Sequence, residues 1–150
     1  MTDFEDTRWL GKIIQSGNTR DEILLKICQY LKTKITHYNW VGFYIADPEK
    51  RVLNLGPYSG APTEHVCIPF GRGVCGQAAE TMATVLVQDV NSESNYLACS
   101  LDVKSEIVVP ILKNGQFVAE LDIDSHQKNS FKDQDQIFLE RMGHEIADLF

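Results

Sequence analysis

A chain of 150 residues is long enough to build one domain around a single core, and its 43% hydrophobic and 23% charged content is ordinary for a globular protein. The net charge of −7, from 14 Lys and Arg against 21 Asp and Glu, argues against a nucleic-acid partner, which requires clustered basic side chains to displace counterions. No apolar run approaches the roughly 20 residues that cross a bilayer, and the acidic start Met1-Thr-Asp-Phe-Glu-Asp6 lacks the basic and apolar regions of a secretory signal, so the expected setting is cytoplasmic with no membrane partner.

The expected layout is a single domain with N-terminal helices over about 4–36, a sheet and pocket over about 39–125 and a C-terminal helix over about 131–150. A short first helix carries Trp9, Leu10, Ile13 and Ile14. Thr19-Arg-Asp-Glu22 has the spacing of a capping box, and Ile23, Leu24, Ile27, Leu31 and Ile35 follow at helical intervals, with Cys28 beside that apolar stripe. Trp40-Val-Gly-Phe-Tyr-Ile45 then reads as a strand running into the turn Asp47-Pro-Glu-Lys50 and a second strand over 51–55. Shorter strands are expected over 64–70 and 84–87, with a helix over 76–82 between them. Asn114-Gly115 joins strands over 105–112 and 117–124 as a hairpin. The last helix has Ser130 as its expected N-cap and Leu139, Met142, Ile146 and Leu149 on one face. This order predicts an α+β fold, a sheet of about six antiparallel strands flanked by helices.

Four cysteines (Cys28, Cys67, Cys75, Cys99) are too scattered for a disulfide scaffold and match no C-x-x-C pattern, so a disulfide here would be transient and catalytic. Cys75 enters a helix at Gly71-Arg-Gly-Val-Cys-Gly76, where the helix N-terminus and Arg72 are expected to lower its thiol pKa; the alternative is a small buried thiol. Cys99 sits in a polar loop, and Cys28 reads as structural. Asp122 and Asp124 alternate with Leu121 and Ile123, which puts both carboxyls on one sheet face, either a solvated face or a site. Trp40, Gly42 and Tyr44 share a face as core aromatics or as a box around a ligand. Glu106 opens the apolar run Ile107-Val-Val109, where a carboxylate needs a partner or a ligand. The four histidines are dispersed, and no metal and no cofactor are expected.

Five blocks, Trp40-x-Gly-Phe-Tyr44, Ile68-Pro-Phe-Gly-Arg-Gly-Val-Cys-Gly76, Leu97-Ala-Cys99, Lys104-Ser-Glu-Ile-Val-Val-Pro110 and Leu121-Asp-Ile-Asp-Ser125, together resemble the free methionine-(R)-sulfoxide reductases, small GAF-domain enzymes. The resemblance implies a GAF fold whose pocket takes free methionine sulfoxide, with Trp40, Tyr44, Glu106, Asp122 and Asp124 around it and Cys99 as the attacking cysteine. It implies a sulfenic acid on Cys99, a disulfide formed with a second thiol, and a thioredoxin-like reductant that reopens it. Glu106 or one of the aspartic acids would donate the proton. Many members carry a further resolving cysteine three residues before the Ile-Pro; here His65 takes that place and Cys67 stands directly before Ile68, facing the same way as His65 on the expected strand, so Cys67 or Cys75 would resolve Cys99. A non-catalytic GAF module that binds a small ligand or signals to a partner is the competing reading, and either terminal helix leaves an exposed side for a homodimer.

Overall fold

The computed structural model describes residues 4, 6–96 and 102–150. Strands β1 (Trp40–Asp47), β2 (Val52–Ser59), β3 (Cys67–Pro69), β4 (Val85–Val87), β5 (Ser105–Lys113) and β6 (Gln116–Ser125) form one antiparallel sheet in the order β3-β2-β1-β6-β5-β4. Helices α1 (Arg8–Ile14), α2 (Arg20–Lys34) and α4 (Asp133–Ile146) pack toward one face, and α3 (Gly73–Thr81) lies over β5 and β6 on the other side. This is the α+β layering that the order of periodicities predicts.

Local chemistry fixes the ends of these elements. The Thr19 hydroxyl accepts the Glu22 N–H at 3.3 Å and the Glu22 carboxylate accepts the Thr19 N–H at 3.3 Å, the reciprocal cap read from the sequence. Asn114 and Gly115 take φ of +52° and +77°, the left-handed pair that a two-residue hairpin requires. Two expectations shift. Helix α4 begins after Lys132 rather than Ser130, because the Asp135 carboxylate accepts the Lys132 N–H at 2.8 Å while the Ser130 and Ser105 hydroxyls pair at 2.8 Å. Strand β3 spans three residues, so the alternation expected to turn Cys67 and His65 the same way does not reach position 65.

The register sorts the sheet into two chemically different faces. Val41 and Phe43 of β1, Ile107, Val109 and Ile111 of β5 and Ala119, Leu121 and Ile123 of β6 point to the helical layer and are at most 2% exposed. Burying a side chain of this size contributes about 1.5–3 kcal/mol. The interleaved positions point the other way: Trp40 and Glu106 stand opposite Asp124, Gly42 and Val108 opposite Asp122, and Tyr44 opposite Glu120. Acids therefore line the central strands beneath α3.

Candidate active site

Glu106, Glu120, Asp122 and Asp124 are 3%, 0%, 1% and 1% exposed, which rules out the solvated-face reading of this alternation. A buried carboxylate is costly unless it is paired or protonated. Among the described residues no amide, hydroxyl or cationic group donates to any oxygen of Glu120, Asp122 or Asp124. Their polar neighbours belong to the cluster itself: the Cys75 thiol faces Glu120 and Asp122, and the Glu106 carboxyl faces Asp122 and Asp124. Burial, then the charge of Asp122, pushes the Glu120 carboxyl well up; burial, then Asp124, does the same to Asp122. Burial raises Asp124 to about 6, with Glu106 opposing the rise. The site therefore holds protons that isolated carboxyls would have lost.

Cys75 sits in the first turn of α3 and is 6% exposed. Its expected activation by the helix N-terminus and Arg72 is reversed: burial, then Asp122, Glu120, Glu106 and Asp124, pushes the thiol well up. The N-terminal amide of the helix is also engaged elsewhere, since the Gly73 N–H donates to Asn95 Oδ1 at 3.1 Å, while Asn95 Nδ2 donates to the Gly71 and Gly73 carbonyls at 3.2 Å. Cys28 is buried in the helical layer, donates to the Pro57 carbonyl at 3.6 Å and has its thiol raised by burial. Cys67 is exposed, whereas its neighbour Ile68 is buried and lines the void beside Cys75. Cys67 therefore points away from the acids. Cys99, with the Leu97-Ala-Cys99 block, lies outside the described residues.

Trp40 folds back over Gly42, where an added Cβ would meet the indole at 2.3 and 2.5 Å. The ring stacks on Tyr58 with centroids 5.4 Å apart, and its Nε1 donates to the Ala61 carbonyl at 2.9 Å. Tyr44 instead donates its hydroxyl to the His65 carbonyl at 2.9 Å. The aromatic pair around Trp40 is thus completed by Tyr58, a residue that sequence spacing missed. Trp40, Asp124, Asn39, Lys32 and His126 line an open cavity of about 400 Å³, and Tyr44, His65, Arg72, Cys75, Glu106 and Asp122 line a much smaller void of about 10 Å³. Glu120 was also missed, although it continues the Asp122 and Asp124 alternation by one step; it lies mid-strand in β6 between Tyr44 and Pro110 and is fully buried.

A six-stranded antiparallel sheet with helices on both faces is the architecture of a GAF domain, and the chain matches that family over residues 17–150. It is 42% identical over 114 residues to the free methionine-R-sulfoxide reductase of Saccharomyces cerevisiae, a stretch covering 75% of this chain and 63% of that protein, less than two-thirds of its length. Its fold superimposes on the substrate complex of fRMsr of Staphylococcus aureus with a TM-score of 0.86 at 34% identity, covering 99% of this chain and 96% of the other. The type II free methionine-R-sulfoxide reductase of Thermoplasma acidophilum gives a TM-score of 0.83 at 38% identity, covering 87% and 91%. The chain belongs to the GAF-domain family of free methionine-R-sulfoxide reductases.

Proposed function

We propose that this chain reduces free L-methionine-(R)-S-oxide to L-methionine through a cysteine sulfenic acid and disulfide cycle. The observation that supports it most directly is the buried acidic face: Glu120, Asp122 and Asp124 have no cationic partner among the described residues, yet they surround a thiol and adjoin a cavity framed by an indole ring. A free amino acid brings the missing ammonium, which peptide-bound methionine sulfoxide lacks. An ionised acid pairs with that ammonium, while a protonated neighbour holds the proton that the sulfoxide oxygen needs.

In the first step the Cys99 thiolate attacks the sulfoxide sulfur, the oxygen takes a proton from Glu106 or an adjacent aspartic acid, and methionine leaves with Cys99 as sulfenic acid. Cys75 then condenses with the sulfenic acid, releasing water and forming a disulfide. Its thiol rests protonated, so it needs a base, and the carboxylate left by the first proton transfer, Glu106 or Asp122, lies within 4.8 Å of it. We assign the resolving role to Cys75 because Cys67 turns outward on β3. A thioredoxin-like dithiol completes the cycle by thiolate exchange. Trp40, which lines the larger cavity, takes the substrate's methyl end in this reading, and Tyr44 borders the neighbouring void beside Cys75.

A stereospecific assay with a thioredoxin system tests the reading by offering the free (R), free (S) and peptide-bound sulfoxides separately. Consumption of the free (R) epimer alone is expected. Equal turnover of the peptide-bound form would overturn the ammonium argument, and tight nucleotide binding with no sulfoxide consumed would establish the competing ligand-binding module instead.

A further inference from the structure

Cys75 Sγ, a carboxyl oxygen of Glu106 and one of Asp122 lie within 4.8 Å of one another, all buried. They come from α3, β5 and β6, so no spacing in the sequence reveals the group. The void they line measures about 10 Å³, enough for a single dehydrated ion or one water. Beside it stand Glu120 and Asp124, buried and without an amide, hydroxyl or cationic partner among the described residues. A positive ion placed here relieves the repulsion among all four acids.

We propose that Cys75, Glu106 and Asp122 bind one thiophilic divalent cation of the zinc class, and that its binding withdraws Cys75 from disulfide chemistry. Zinc with a sulfur ligand at about 2.3 Å and oxygen ligands at about 2.0 Å spaces its tetrahedral ligand atoms roughly 3.3–3.6 Å apart. The three side chains, within 4.8 Å of one another, reach that arrangement by closing up to about 1.5 Å, within ordinary torsional adjustment. Three protein ligands form the protein share of an open zinc set, and since the void has no room for a water besides the ion, the fourth position falls to Glu120, whose carboxyl faces Cys75. Magnesium and calcium are excluded by the same geometry, because they take six or more oxygens or keep several waters, and the void has room for neither. The sulfur ligand selects further for zinc and its close analogues.

The binding step is acid–base only. The cation forms a bond to sulfur, the thiol proton leaves to solvent, and no electrons move. A metal-held thiolate cannot condense with a sulfenic acid, so occupancy inhibits turnover until a chelator removes the ion. That inhibition rests on the proposed reductase activity, whereas the binding does not.

Cobalt(II), titrated into the reduced full-length chain, tests the site by absorption spectroscopy. One equivalent is expected to give a thiolate-to-cobalt charge-transfer band with the visible bands of four-coordinate cobalt. Equimolar zinc should abolish both, and excess magnesium should leave them unchanged. The charge-transfer band should vanish in Cys75→Ser and Cys75→Ala, persist in Cys67→Ser, and need at least tenfold more cobalt in Asp122→Asn, with circular dichroism confirming that each variant is folded. Absence of the band in the wild type, its survival in either Cys75 variant, or its loss in Cys67→Ser would overturn the site. A reductase that turns over without showing the band refutes the metal site alone; a chain that shows the band yet consumes no sulfoxide after a chelator has removed the metal refutes the reductase alone.

Discussion

Trp40 occupies the space that a side chain at Gly42 would fill. Gly42→Ala should drive the indole off Tyr58 and out of the cavity wall, raising KM for the sulfoxide about tenfold at roughly 1–3 kcal/mol of stability; steady-state kinetics and urea melts read the two effects separately. The cysteines divide by turnover rather than by stability. Cys99→Ser should abolish reduction, Cys75→Ser should permit one equivalent of methionine per chain without recycling by thioredoxin, and Cys67→Ser should recycle normally, all measured by single-turnover and steady-state methionine release. At Asp124 the folded chain keeps a proton up to about pH 6 that the unfolded chain releases near 3.8. Its contribution to stability is therefore full below about pH 4 and lost as pH rises through 6, worth roughly 3 kcal/mol at 1.36 kcal/mol per pH unit. Urea melts between pH 4 and 7 should show this decline, and Asp124→Asn should make it shallower by Asp124's share while leaving that of Glu120 and Asp122, whose carboxyls are raised in the same direction. The sequence put Asp122 and Asp124 on one face but left open whether water or protein covers it, because a period of two carries no information about the layer above. It also missed Tyr58, whose meeting with Trp40 depends on how β2 registers against β1.

Among the elements, α4 shows how a helix end can be fastened from outside the helix. Asp135 accepts from the buried Tyr38 hydroxyl and the Lys132 N–H, and lies 3.4 Å from His37 Nε2. Burial alone would raise its carboxyl, yet the bonds from His37, Tyr38 and Lys132 hold it below the ordinary value. Its contribution has the opposite sign to that of Asp124: present above pH 3.8 and lost as pH falls through the depressed folded value. Asp135→Ala should cost about 2–4 kcal/mol, because it strips the helix cap and orphans a buried hydroxyl; thermal melts at pH 7 check this. The sequence located the helix by its apolar face but placed its start at Ser130, since the cap partner is a tyrosine 97 positions away in the chain. Elements closed by local chemistry, such as the Thr19 cap and the Asn114-Gly115 turn, were legible to the residue. Helix α3 begins three positions ahead of the expected 76, where Asn95 from a distant loop holds the Gly73 amide.

Across the molecule, β5 and β6 serve two layers at once, with every second residue committed to the helical core and the others to the acids. Stability and chemistry therefore separate by parity along the strand. Ile123→Ala should cost about 2–4 kcal/mol by leaving a cavity, with little change in kcat for the chain that stays folded. Asp122→Asn, one residue away, should raise the melting temperature by relieving a buried charge and lower turnover sharply; parallel melts and assays would show the two effects moving in opposite directions. The same two-layer plan distributes the chain's two tryptophans. Trp9 stacks on Tyr30 in the helical layer at 4.0 Å, and Trp40 stacks on Tyr58 at the cavity. Each layer thus carries its own intrinsic fluorophore, so Trp9→Phe would leave emission that reports only on the pocket, and Trp40→Phe emission that reports only on helix docking. Ligand entry and unfolding could then be followed on one chain as two separate optical signals, without a dye.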